Sequence, residues 1–196
     1  MDRDSPNQYP HVVSDLVQVS ALDEAAKPRN FNAIFRSEFD YVWNSLRRLG
    51  VPERDLEDLT HDVFFRVYER FADYDAARPV RPWLFGFSFR VASDYRRRFS
   101  NQREVLTAAS EASDPAPTAL DRMVTAEAMS LAQAALSGIE MDRRAVFILH
   151  EIDGCSVPEI ANTLELPLNT TYSRLRVARD EFRAALHRER LRRGER

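Results

Sequence analysis

From Phe31 to Leu186 the apolar residues of this chain recur at spacings of three and four, and no stretch alternates apolar with polar. Such spacing lays one apolar stripe along a helix, whereas a half-buried strand needs a period of two. The expected fold is therefore all-α. Phe31, Ile34, Phe35, Phe39, Val42, Leu46 and Leu49 mark a first amphipathic helix, which Gly50 ends. Pro52 opens a second, with Leu56, Leu59, Val63, Val67 and Phe71 facing inward. The loop DYDAARPVRP leads to a third, beginning near Trp83, with Leu84, Phe87, Val91 and Tyr95 inward. Three helices of this length can share one core.

Near Asn101 the periodicity stops, and EASDPAPTAL has the Ser, Pro and acidic composition of a linker. A helix from Leu120 to Leu136 follows, then a helix from Met141 to Ile152 carrying Val146, Phe147, Leu149 and Ile152. Ser156 and Glu159, in the order S-V-P-E, form a capping box that opens a short helix to Leu164. LELP turns the chain, with Glu165 where such turns often have Gly. In the last helix Thr171, Leu175, Ala178, Phe182 and Leu186 form the inward stripe. These boundaries give two small helical domains, 31–100 and 119–190, joined by a flexible linker over 101–118. Residues 1–30, with little periodicity, read as a weakly ordered arm, and 191–196 as a basic tail.

Net charge is −3 over 196 residues, which argues against a simple nucleic-acid binder, but the charge is unevenly spread. Glu53 to Asp75 holds eight acids against three arginines. Arg78 to Arg103 holds seven arginines against Asp94 alone, and Leu168 to Arg196 nine against four acids. One acidic and two basic stretches suit several partners of opposite sign.

Other classes fall away on the same sequence. No apolar run is long enough to span a membrane, and the N-terminus has no charged-then-apolar signal pattern, so a cytoplasmic protein without membrane insertion is expected. Cys155, the single cysteine, reads as a buried thiol. His11, His61, His150 and His187 are scattered without metal spacing, and no glycine loop could cradle a phosphate. Neither an enzyme nor a cofactor or metal is expected.

A short capped helix, a tight turn and a longer helix are the parts of a helix-turn-helix. Asn169, Tyr172, Ser173 and Arg176 project from the last helix away from its apolar stripe, where Asn suits adenine and Arg suits guanine. Arg174, Arg179 and Arg183 flank that face and suit phosphates. An ordinary helical hairpin with a solvated arginine face is the alternative. In the first domain, Arg90, Arg96, Arg97 and Arg98 stand near aromatics around Trp83, Phe85 and Phe89, a combination fit for single-stranded nucleic acid. Most of those rings could instead fill the core. Phe64 and Phe65 are adjacent, so one of them must leave the core for an interface.

Together these segments resemble an extracytoplasmic-function sigma factor, the minimal bacterial RNA polymerase specificity subunit. EDLTHDVFFRVYERF resembles the region 2 segment that docks on the polymerase β′ clamp helices, and RPVRPWLFGFSFRVASDYRRR the promoter-melting segment after it. MDRRAVFILHEIDGCSVPEIANTLELPLNTTYSRLRVARDEFRAAL resembles region 4. The resemblance implies core polymerase contacts at Asp58, Asp62, Phe65 and Arg66. It implies contacts to single-stranded −10 DNA at Arg78, Arg81, Phe85, Arg90, Asp94 and Arg97, with the loop from Ala77 to Pro82 receiving a flipped base. Double-stranded −35 DNA would meet Asn169, Tyr172, Ser173, Arg174, Arg176 and Arg179. Arg90 stands where the family often has Asn, and Val177 where many members carry Arg or Lys. Region 4 would also meet the β flap, and the acidic linker would pass along the RNA-exit path. An anti-sigma factor is a further partner the family allows. Two rival classes remain open at this stage: a two-domain regulator whose N-terminal helices sense a ligand or dimerise, and a helical adaptor that binds only proteins.

Overall fold

The computed structural model describes residues 30–103 and 120–194, and no strand occurs among them. The expectations for the arm before Asn30 and for residues 104–119 lie outside the described residues. The described elements sort into two compact units, residues 30–103 and 120–194.

The first unit is three helices on one core. Helix α1 spans Phe31–Leu49, and Asn30 caps it by accepting the Ala33 N–H at 2.8 Å. Gly50 closes it at φ 97°, where a side chain would be strained, and its N–H reaches the Arg47 carbonyl. A 3-10 turn, Glu53–Asp55, leads into α2, Leu56–Glu69. A second such turn, Phe71–Asp73, precedes α3, Val80–Arg103. Helix α3 starts one turn earlier than the sequence suggests. Pro82 lies in its first turn, where N–H groups have no intrahelical partner and proline costs little.

Ile34, Val42, Leu46, Leu56, Val63, Phe64, Val67, Leu84, Phe85 and Val91 fill the space between the three helices. Full burial of such a side chain stabilises by about 1.5–3 kcal/mol, so this stripe fixes the bundle. Ser45 and Ser88 are buried polar intrusions that each donate to the carbonyl four residues back, Tyr41 and Leu84. The inward side of α3 differs from expectation. Phe85, Ser88 and Ala92 join Leu84 and Val91 inside, while Phe87 and Tyr95 are only half-buried. Tyr95 instead donates its hydroxyl to Asp55 at 2.6 Å; burial and that carboxylate push its pKa up to about 12.

In the second unit α4 spans Leu120–Ser137 and α5 Met141–Phe147, with α5 running on into a π turn, Ile148–Ile152. Helix α6 is Val157–Thr163 and α7 is Leu168–Arg192. Residues 191 and 192, expected as the start of a tail, thus continue α7. Helices α4, α5 and α6 all pack on α7. Phe147 and Phe182 meet at 4.7 Å between ring centres in the middle of that core. Gly138 lets α7 approach, since a β-carbon there would stand 3.0 Å from that of Ala185. Arg144 is buried, and its guanidinium donates to the Ser137 carbonyl at 3.0 Å and the Ile139 carbonyl at 2.8 Å. It thereby satisfies carbonyls that the end of α4 leaves open. Cys155 is buried, and desolvation pushes its thiol up to about 12, so it is not nucleophilic near neutral pH.

Candidate nucleic-acid interface

Helix α2 carries its charges outward because Leu56, Thr60, Val63, Phe64 and Val67 are drawn into the core. Asp58 is exposed, Asp62 partly so, and Phe65 is 61% exposed beside a buried Phe64. Phe65 and Tyr68, itself 64% exposed, rim a cavity of about 370 Å³ that Phe31, Phe35, His61 and Phe64 also line. These two large rings stand side by side in water as an exposed apolar surface. Arg66 links this helix to the next. Its guanidinium lies 3.2 Å from Asp62 and 3.2 Å from Asp94 of α3, and Asp94 also binds Arg97 at 2.8 Å. Four residues expected at two separate sites therefore stand in one chain of ion pairs.

The melting segment needs one correction. Phe85, expected against −10 DNA, is 0% exposed and packs in the core, so it has no face to offer a base. The aromatic run WLFGFSF permits more than one inward stripe, and spacing alone did not choose between Phe85 and Phe87. Tyr74, Trp83 and Phe87, all half-buried, form a row, with Tyr74 to Trp83 at 4.8 Å and Trp83 to Phe87 edge-on at 5.1 Å. Arg90 closes the row, its guanidinium 6.0 Å from the Phe87 ring. Tyr74 escaped sequence reasoning because it belongs to the preceding loop, outside any helical stripe. Desolvation, helped by Asp75 and Glu38, raises its pKa. Arg78 is exposed and pairs with Asp75 at 3.5 Å. Arg81 is held by Glu38 at 2.9 Å and lies over the Tyr41 ring at 5.2 Å, which shapes the loop's exit.

In the second unit the Glu159 carboxylate accepts both the N–H and the hydroxyl of Ser156, at 2.8 and 2.7 Å. These bonds lower the Glu159 pKa and start α6 where the capping box places it. Glu165 then turns the chain at φ 55°, in the left-handed region glycine favours. Thr171 donates to the Pro167 carbonyl at 3.1 Å and, with Leu175, Ala178, Phe182 and Leu186, forms the buried stripe of α7. That stripe leaves Asn169, Tyr172, Ser173 and Arg176 exposed on one face, with Tyr172 54% accessible.

All three expected flanking arginines are already engaged, Arg183 with Asp180 at 2.7 Å. Arg174 pairs with Asp142 at 3.0 Å, and Arg179 with Glu151 at 2.7 Å. Arg143 completes the strapping through Glu181 at 2.8 Å. The Arg174–Asp142 and Arg143–Glu181 pairs are partly exposed and worth about 0–1 kcal/mol each, less than one buried ring, so they orient α7 more than they stabilise it. Among the described residues no group of His, Cys, Asp or Glu is arranged to hold a metal, and no helix is long and apolar enough to cross a membrane.

Comparison with known proteins places this arrangement. Residues 34–103 match the family model for Sigma-70 region 2 and residues 130–181 that for Sigma-70, region 4. The RNA polymerase sigma factor NccH of Alcaligenes xylosoxydans is 32% identical over 149 residues, covering 71% of this chain and 77% of that protein. The ECF RNA polymerase sigma factor SigE of Mycolicibacterium smegmatis is 31% identical over 167 residues, 82% of this chain and 63% of its own length. Two solved structures share the fold. One is CnrH with the cytosolic domain of CnrY, at TM-score 0.56 and 24% identity over 89% of this chain and 96% of that one. The other is RpoE with the anti-sigma factor NepR from Bartonella quintana, at TM-score 0.63 and 20% identity over 82% and 98%. The chain belongs to the sigma-70 family, among the extracytoplasmic-function RNA polymerase sigma factors.

Proposed function

We propose that this sigma factor binds core RNA polymerase and directs it to promoters, region 2 (31–100) opening the −10 element and region 4 (119–190) reading the −35 element. One observation carries the reading. A single chain presents an acid-edged helix with exposed rings, a basic helix with a half-buried aromatic row, and a helix-turn-helix whose outer face is open. The acids of α2 suit the β′ clamp helices, with Asp58, Asp62 and Phe65 at the contact. On α3, Trp83, Phe87 and Tyr74 offer stacking surfaces for an unpaired base, and Arg90 and Arg97 neutralise its backbone. On α7, Arg176, Asn169 and Ser173 read base edges in the major groove, where paired donors and acceptors distinguish all four base pairs. The chemistry of initiation stays with the polymerase; the sigma factor contributes placement and strand capture. Because a neighbour of this fold was solved with the anti-sigma factor NepR, such an inhibitor is carried over as a regulatory partner. Action on DNA beside the polymerase would set the site of work in the cytoplasm.

Transcription in vitro with core polymerase on a genomic fragment library tests the reading. Discrete start sites that appear only when both proteins are present support it, and no transcript from any fragment overturns it. Pulldown of core polymerase separates it from an ordinary regulator, which would bind DNA alone.

A further inference from the structure

Arg179 and Arg174 look alike in sequence but are held differently. At 3.6 residues per turn, the two stand on opposite edges of the face that carries Tyr172, Ser173 and Arg176. Arg174 pairs with Asp142, which is half-exposed, so either side chain can swing away into water. Arg179 pairs at 2.7 Å with Glu151, which is 5% exposed at the end of the π turn. His150 Nδ1 stands 3.2 Å from the same carboxylate oxygen. Burial alone would push the Glu151 pKa up, but His150 and Arg179 outweigh it and hold the group below the usual carboxylate range. Glu151 is thus charged at neutral pH and cannot release Arg179 without leaving a buried charge poorly compensated.

We propose that Glu151 is a positioning residue that withholds Arg179 from the DNA backbone, so that α7 docks with one phosphate contact fewer than its arginines suggest. The inference rests on the reading that α7 enters the −35 major groove. Phosphate contacts add affinity for every sequence, whereas base contacts add it for one. Tying Arg179 back therefore lowers binding to all DNA and leaves discrimination to Asn169, Tyr172, Ser173 and Arg176. The ion pair trades affinity for selectivity.

The test uses holoenzyme on a duplex carrying a promoter recovered from the genomic library, beside the same duplex with a scrambled −35 element, over a range of salt. Arg179→Gln is expected to leave the salt slope unchanged. Glu151→Met, which keeps the length but offers no acceptor, should steepen the slope by about 0.9, one phosphate's worth. It should also raise binding to the scrambled duplex severalfold, and Glu151→Met with Arg179→Gln should return both values to wild type. A purely structural role for Glu151 would not be rescued by removing a positive charge. A slope made shallower by about 0.9 in Arg179→Gln overturns the proposal, as does an unchanged slope in a folded Glu151→Met. Should helical content show Glu151→Met unfolded, the Arg179→Gln slope decides alone. A wild-type holoenzyme that does not distinguish the two duplexes overturns the −35 reading itself, and this inference with it.

Discussion

At the scale of single residues, position on a face decides role more than residue type does. Phe64 and Phe65 are chemically identical neighbours, yet one is core and the other surface. Arg176 and Arg179 are three residues apart, yet Arg179 is ion-paired to Glu151 while Arg176 stands exposed. Arg176→Ala should therefore weaken −35 binding by about 1–3 kcal/mol and relax preference at one base pair, measured by competition between single-base variants of the promoter. Uniform weakening across all sequences would make Arg176 a phosphate contact. Glu165 is a separate matter of backbone strain. Its φ of 55° costs an L-residue about 1–2 kcal/mol that glycine does not incur, partly offset by glycine's freedom in the unfolded chain. Glu165→Gly should leave stability equal or higher by up to about 1 kcal/mol, and Glu165→Val should lower it, in urea denaturation followed by helicity. A loss in both would mean that the Glu165 side chain, not its backbone, holds the turn.

At the scale of elements, most of the fold was legible and the exceptions have physical causes. The stripe of α7, the capping box at Ser156 and the stop at Gly50 are local signals, set by spacing and by bonds within four residues. The π turn after Phe147 was not legible, because widening a helical turn by one residue leaves the apolar spacing nearly intact. The start of α3 was hidden by Pro82, and the burial of Phe85 by an aromatic run with no single stripe. Sites were harder than helices. Sequence placed Arg66, Asp94 and Arg97 near their partners' functions, but pairing across α2 and α3 is tertiary and has no local signal. Two element-level outcomes follow. Asp62→Arg sets a positive charge on the acidic face of α2 and should impair core-polymerase binding at unchanged helicity; unchanged affinity would remove α2 from that interface. The carboxylates that fasten the second unit, Glu151 and Glu159, both titrate below the ordinary 4.5. Groups depressed in this way stabilise the fold above that value, and the contribution is lost as pH falls through their folded-state pKa values. Amide-resolved NMR between pH 5 and 3 should show region 4 loosening with acid, less steeply in Glu159→Gln. A slope unaltered by Glu159→Gln would contradict the assignment of the cap.

At the scale of the whole molecule, the net charge of −3 and the partition into two units bear on when DNA is bound. Each basic face is small, and several of its arginines are tied to acids of the same unit, so each face alone neutralises few phosphates. The acidic α2 repels DNA until a partner covers it. Core polymerase would cover it and present both faces to one promoter, making the second contact intramolecular. Avidity of that kind exceeds either single affinity by about 10²–10⁴. The free protein should accordingly bind promoter DNA poorly, and the holoenzyme should bind it tightly and open it. Permanganate reactivity of −10 thymines, with and without core polymerase, measures this most directly. The account predicts reactive thymines only when sigma factor and core are both present. Tight, sequence-specific binding by the free protein, with no thymine exposed on adding core, would contradict it.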